Sequence, residues 1–131
     1  PRALAWAFLN PPRRLHRSTP RTALGAPYER VKLHTADGLS LSAWYVPHPH
    51  PRGIAVLSHG YASCRETMLP YLRMARAAGL SALLYDFRAH GWSGGKGVSF
   101  GLREREDLRA AIRAARERAG SLPLVLVGES M

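Results

Sequence analysis

Cysteine is nearly missing from this 131-residue chain: Cys64 is the only one. A single thiol excludes an internal disulfide framework and a zinc site built on paired cysteines. Lysine is scarce as well, with Lys32 and Lys96 beside 17 arginines, and nine acidic residues face nineteen basic ones, for a net charge of +10. The arginines run from end to end. Over 103–118 they alternate with Glu104, Glu106, Asp107 and Glu117, which predicts a solvated helix face carrying ion pairs. The basic excess is therefore read as an arginine-rich composition, with no nucleic-acid partner. No apolar run approaches the roughly 20 residues of a membrane span. The short stretch "ALAWAFL" (3–9), followed by "NPPRRLHR", is a candidate for membrane contact, as the tail of an anchor or as a short amphipathic helix. A cytoplasmic and a membrane-associated location both fit. The histidines at 16, 34, 48, 50, 59 and 90 show no metal-ligand spacing on a predicted helix, and no metal or organic cofactor is implied.

What the chain does have is a globular composition, 46% hydrophobic and 21% charged. Residues 1–25 read as a leader or linker, and residues 26–131 as one folded unit. "YERVKLHT" (28–35) and "LSLSAWYV" (39–46) alternate in apolar character around the turn "ADG", which predicts an antiparallel hairpin ended by Pro47. The pattern then changes. "GIAVLSH" (53–59), "SALLYDF" (81–87) and "PLVLVG" (123–128) are apolar throughout, as strands buried on both faces of a parallel sheet are. Between them, 66–79 and 102–120 carry helical periodicity, each closed by a glycine, Gly79 and Gly120. The expected class is α/β, with a hairpin leading into a parallel βαβαβ winding.

In such a sheet function gathers at the carboxyl ends of the strands, and three motifs fall there. "LVLVGES" (124–130) runs a strand into Gly128, Glu129 and Ser130. A nucleophile elbow has this form: a sharp turn lifts the serine hydroxyl clear of the sheet, with small residues two positions to either side. "LSHGYASCR" (57–65) holds His59 and Gly60 ahead of Tyr61. The Tyr61 amide and that of Met131 are the expected oxyanion donors. His59 is read as a structural residue and Cys64 as a loop residue. "YDFRAHGWSGG" (85–95) places Asp86 and Arg88 in a tight polar loop, where they are expected to pair or to bond to nearby backbone. His90 is read as a strut of that loop.

"SHGYASCRE", "LLYDFRAHGWSGG" and "LVLVGES" together resemble landmarks of the α/β-hydrolase superfamily, in order and at suitable intervals. The leader "PYERVKLHTADGLSLSAWYVP" is similar to the serine aminopeptidase-like, or Bem46-like, subgroup, many members of which carry an N-terminal hydrophobic anchor. Ala89 stands where the family's loop more often has glycine. The resemblance implies a serine hydrolase with Ser130 as nucleophile, cleaving a small-molecule ester or, as an alternative, an amide or peptide bond. A non-catalytic interaction module on the same fold is the other reading. The family's catalytic acid and histidine follow the nucleophile along the chain. The sequence is thus expected to be the N-terminal half of such a domain, ending just past the elbow, and inactive alone.

Overall fold

The computed structural model describes residues 1–130. Alternation in 28–46 produces the hairpin of β1 (Glu29–His34) and β2 (Ser40–Val46), antiparallel, with Val31 opposite Ala43 and Leu33 opposite Leu41. Its turn is fixed by Thr35, whose amide donates to the Leu39 carbonyl and whose hydroxyl donates to Asp37, while Gly38 takes φ 88°. The three apolar runs become β3 (Gly53–Ser58), β4 (Leu80–Tyr85) and β5 (Leu124–Gly128). Strand order is β1-β2-β4-β3-β5, with β3 parallel to both β4 and β5 and β2 antiparallel to β4.

The continuous apolar character of β3 and β4 follows from two cores, one on each face of the sheet. On one face Ala55, Leu57, Ala82 and Leu84 pack with Trp44 and Val46 against Leu69, Leu72 and Ala75 of α3 (Leu69–Ala77). On the other, Ile54, Val56, Leu83 and Tyr85 pack with Leu33, Leu41 and Ala43 against Ala110, Ala111 and Ala115 of α4 (Glu104–Ala119). Trp44 and Val46 belong to the first core, so the far half of β2 is buried on both sides; the simple alternation expected there holds only for its near half.

Three further differences from the sequence reading have local causes. The helix expected over 66–79 begins as a 3-10 turn, Arg65–Met68, and becomes α-helical from Leu69. Pro70 lies in the first turn of α3, where its missing N–H costs no hydrogen bond. The helix expected from 102 starts at Glu104. The apolar run of β5 is not buried: Val125 is 41% and Leu126 52% exposed, because β5 is the sheet edge and pairs only with β3 among the described residues.

The leader lies over the carboxyl ends of the strands. α1 (Arg2–Leu9) has no buried residue, and α2 (Pro20–Leu24) is capped by reciprocal Thr19–Thr22 hydrogen bonds. At the end of α1 the Phe8 carbonyl accepts from the Tyr61 hydroxyl at 2.8 Å and the Leu9 carbonyl from the Val98 amide at 2.8 Å. Arg13 donates to the carbonyls of His90, Gly91, Ser93 and Gly95. No helix among the described residues is long and apolar enough to cross a membrane.

Candidate active site

The loops leaving β3, β4 and β5 converge. Ser58 and Gly128 are register partners, and the Glu129 amide donates to the Ser58 carbonyl at 3.0 Å. One step further on, the Tyr61 amide donates to the carbonyl of Ser130 at 3.2 Å. Gly60 makes this approach feasible: a Cβ there would stand 2.5 Å from the Ser130 carbonyl oxygen, a backbone atom that cannot swing aside. Gly128 is under no such constraint among the described residues, since a Cβ would meet the Ser58 side chain at an ordinary 3.8 Å. Glu129 and Ser130 are exposed. Among the described residues the non-glycine positions at positive φ are Ala62, Ala89 and Phe100, and Ser130 is not one of them. Strain of the elbow kind persists only where surrounding structure holds it, and little packs on Gly128, Glu129 and Ser130 here. Met131 lies outside the described residues.

Two buried histidines stitch the first two loops together. His59 Nε2 accepts from the Phe87 amide at 3.0 Å, while Nδ1 faces the Gly60 carbonyl at 2.7 Å. His90 returns the arrangement: its Nε2 accepts from the Ala62 amide at 3.1 Å and its Nδ1 faces the Arg88 carbonyl at 2.9 Å. In each ring one nitrogen must accept and the other donate, which fixes a neutral tautomer. The rings meet edge-on at 5.0 Å. Burial pushes His59 down to about 4, with neighbouring His90 adding to the shift, and burial also lowers His90. Both nitrogens of both rings are committed, so neither histidine has a free nitrogen with which to act as a base.

Asp86 and Arg88 do not pair with each other. Asp86, fully buried, accepts from the amides of Arg65 (2.7 Å) and Trp92 (3.0 Å), with the Arg65 guanidinium 3.7 Å away. Its own carbonyl takes a hydrogen bond from Ser93, whose hydroxyl in turn accepts from the Ser42 amide. Arg88 reaches the opposite way, to Asp107 of α4 at 2.8 Å and to Asp37 of the hairpin turn at 2.8 Å. Ala89, next after Arg88, sits at φ 61°. That left-handed backbone is why glycine suits the position.

Sequence reasoning missed several residues that position these loops. Asp107 and Glu104, read as part of a solvated face, are buried. Glu104 accepts from Ser99 and from the Gly101 amide, closing the turn before α4. Arg65, Glu66 and Arg13 carried no local signal, because their side-chain partners lie 21 to 82 residues away in the chain. Glu66 holds the amides of Arg17 and Ser18 at 3.0 Å each. Cys64, read as a loop residue, is buried at the start of the 3-10 turn, and burial raises its thiol above the usual range.

A mixed sheet in this order, with helices on both faces and its polar loops at the carboxyl ends of the parallel strands, defines an α/β-hydrolase fold. Residues 49–131 match the family described as serine aminopeptidase, S33, and the chain belongs to that family. It is similar to the Pyrococcus furiosus esterase Pf2001, with a TM-score of 0.86 and 32% identity over 95% of this chain and 47% of that one. It is 37% identical to a monoacylglycerol lipase of Mycolicibacterium smegmatis over 66% of this chain and 32% of the relative. It is also 32% identical to the uncharacterized protein YqkD of Bacillus subtilis, over 76% of this chain and 33% of that protein. The chain thus spans about a third of the curated relatives it matches and about half of the solved esterase.

Proposed function

We propose that this chain supplies the nucleophile and part of the oxyanion site of a serine hydrolase acting on small carboxylic esters. Residues 26–131 form its folded share of the domain. Ser130 attacks the ester carbonyl, and a histidine and acid from beyond residue 131 serve as base and orienter. The developing oxyanion is held by the amides of Tyr61 and Met131.

The observation that carries this reading is the contact across Gly60, which sets the Tyr61 amide against the backbone of Ser130. In catalysis that N–H exchanges the Ser130 carbonyl for the substrate oxygen. His59 and His90, with both ring nitrogens engaged, are supporting residues, as are Asp86, Arg88 and Gly128. The esterase and lipase relatives favour an ester over a peptide bond. α1 presents Leu4, Trp6 and Phe8 to solvent and is the segment through which the protein would touch a lipid surface.

The test is fluorophosphonate labelling of the full-length protein, with turnover of p-nitrophenyl esters compared against aminoacyl p-nitroanilides. Labelling lost in Ser130→Ala, with ester turnover dominant, is expected. Equal labelling of that variant removes Ser130 from the nucleophile role. Dominant anilide turnover makes the enzyme a peptidase, and no labelling at all makes it a binding module. The 131-residue chain alone is expected to hydrolyse neither substrate.

A further inference from the structure

The hairpin bears a second feature that the hydrolase reading leaves unused. On the α3 side of β1, Arg30 and Lys32 stand in register opposite Trp44 and Ser42 of β2. They line a groove of about 520 Å³ together with Ser40, Ser42, His16 from the leader and Arg65 from the 3-10 turn. Neither Ser130 nor Tyr61 contributes to it, and no carboxylate lines it.

Arg65 is the unusual member. Its side chain is 4% exposed, its Nη1 donates to the Ser42 hydroxyl at 2.6 Å, and its guanidinium lies 4.4 Å over the Trp44 ring. Its Nε is buried without any hydrogen-bond partner, an arrangement native structures seldom leave without a reason. The one compensating carboxylate, Asp86, stands behind it at 3.7 Å with both oxygens already accepting backbone amides. His16, edge-on to Trp44 at 4.7 Å, is held below its usual range by burial and then by the Arg65 charge.

Arg30, Lys32 and Arg65 outnumber the two carboxylates near them, Asp86 and the Glu66 that acts on His16, and the other polar side chains lining the groove are Ser40, Ser42, His16 and Trp92. That surplus matches a phosphate monoester, which carries about −1.5 to −2 at neutral pH and offers three acceptor oxygens to guanidinium, ammonium and hydroxyl donors. We propose that this groove binds a phosphate group, free or as the terminal phosphate of a larger molecule, at a site separate from Ser130.

The experiment titrates the full-length protein with inorganic phosphate and with glycerol phosphate at constant ionic strength, using calorimetry and the His16 ring resonances. A parallel arm measures co-sedimentation with phosphatidylcholine vesicles with or without phosphatidic acid. Arg30 and Lys32 are exposed, so Arg30→Ala and Lys32→Ala keep the fold. Saturable one-to-one binding is expected. It should raise the titration point of His16 and weaken about fivefold with each substitution, the effect of one surface charge worth about 1 kcal/mol. Binding of the soluble phosphates alone assigns a free ligand, and binding of phosphatidic acid vesicles lost in the double variant assigns a headgroup. The proposal fails if phosphate acts no differently from chloride, or if the double variant binds phosphate as well as the parent.

Discussion

Arg88 holds two carboxylates in one guanidinium fork, and removing each in turn gives a sharp test of how the loop after β4 is held. Asp107 is fully buried and accepts from the Arg88 amide at 2.8 Å, from Nε at 3.0 Å and from Nη2 at 2.8 Å. Asp37 accepts from Nη1 and Nη2 at 2.8 and 3.1 Å, but its side chain is 43% exposed. The Arg88 hydrogen bond, with that of Thr35, lowers Asp37 to about 2. Asp107→Ala leaves a guanidinium that is 2% exposed with one partner at the surface, and strands the Arg88 amide. Breaking a buried pair from one side costs about 3–5 kcal/mol. Asp37→Ala removes an ion pair that water already screens, at roughly 0–1 kcal/mol. At about 3–4 °C per kcal/mol for a domain of this size, the first variant should melt roughly 10–20 °C lower and the second within about 4 °C of the parent. The double substitution Arg88→Met with Asp107→Leu should recover much of the loss, since an apolar pair leaves no buried charge. Thermal melts of the full-length protein compare the three variants with the parent. Equal effects of Asp107→Ala and Asp37→Ala, or a cost below about 1 kcal/mol for the former, would refute the reasoning.

Other perturbations probe the site and its supports. Gly60→Ala drives a methyl into the Ser130 carbonyl and should abolish fluorophosphonate labelling while leaving far-ultraviolet circular dichroism intact; unchanged labelling contradicts the close approach. His59 titrates near 4 when folded and near 6.5 in the open chain, so the unfolded state binds the extra proton between these values. Stability from this residue is complete above pH about 6.5 and is lost as pH falls towards 4, by about 3 kcal/mol; His59→Gln should flatten that part of the stability profile, and an identical slope in the variant would exclude His59 as its source. Glu66→Ala frees the Arg17 and Ser18 amides, and trypsin should then cut at Arg14 and Arg17 several-fold faster, whereas an unchanged rate would mean the leader is held by other contacts.

The parallel strands, the hairpin and the three loop motifs were legible because each is a local pattern: continuous apolar runs, alternation, and glycine beside a polar strand end. For β5 the unpaired edge at 123–128 was legible as well, but the apolar run alone did not show the exposure of Val125 and Leu126. α4 shows how packing refines periodicity. Helical spacing put Leu108, Ala111, Ile112, Ala115 and Ala119 on one stripe; Ala111 and Ala115 meet the sheet together with Ala110, while Leu108 and Ile112 are half-buried. Small residues let the helix approach closely, and larger ones sit at its flanks. Glu104 and Asp107 precede Ala111 by seven and four residues, a helical spacing, so their face was readable. Their burial was not, because it depends on partners such as Arg88, 19 residues upstream. The committed nitrogens of His59 and His90 likewise belong to pairs across two loops, although their structural character was already suggested by their place before the nucleophile.

An aspartate at the end of β4, beside the nucleophile loop, invites a catalytic role, and its bonding argues otherwise. Both Asp86 oxygens are spent on amides, those of Arg65 and Trp92, and its nearest cation is a guanidinium that is itself buried. A carboxylate so engaged has no acceptor capacity directed at an imidazole, which a catalytic orienter needs. A Cβ at Gly91 would strike the same carboxylate, so the β4 loop is wrapped tightly around it. Asp86 therefore acts as the hub on which the β3 and β4 loops are wound. The two histidines lock the outside of that winding, and the Tyr61 amide is left at its edge, facing Ser130. Buried charge and backbone thus position the Tyr61 amide, and Asp86 spends its acceptor capacity on that framework.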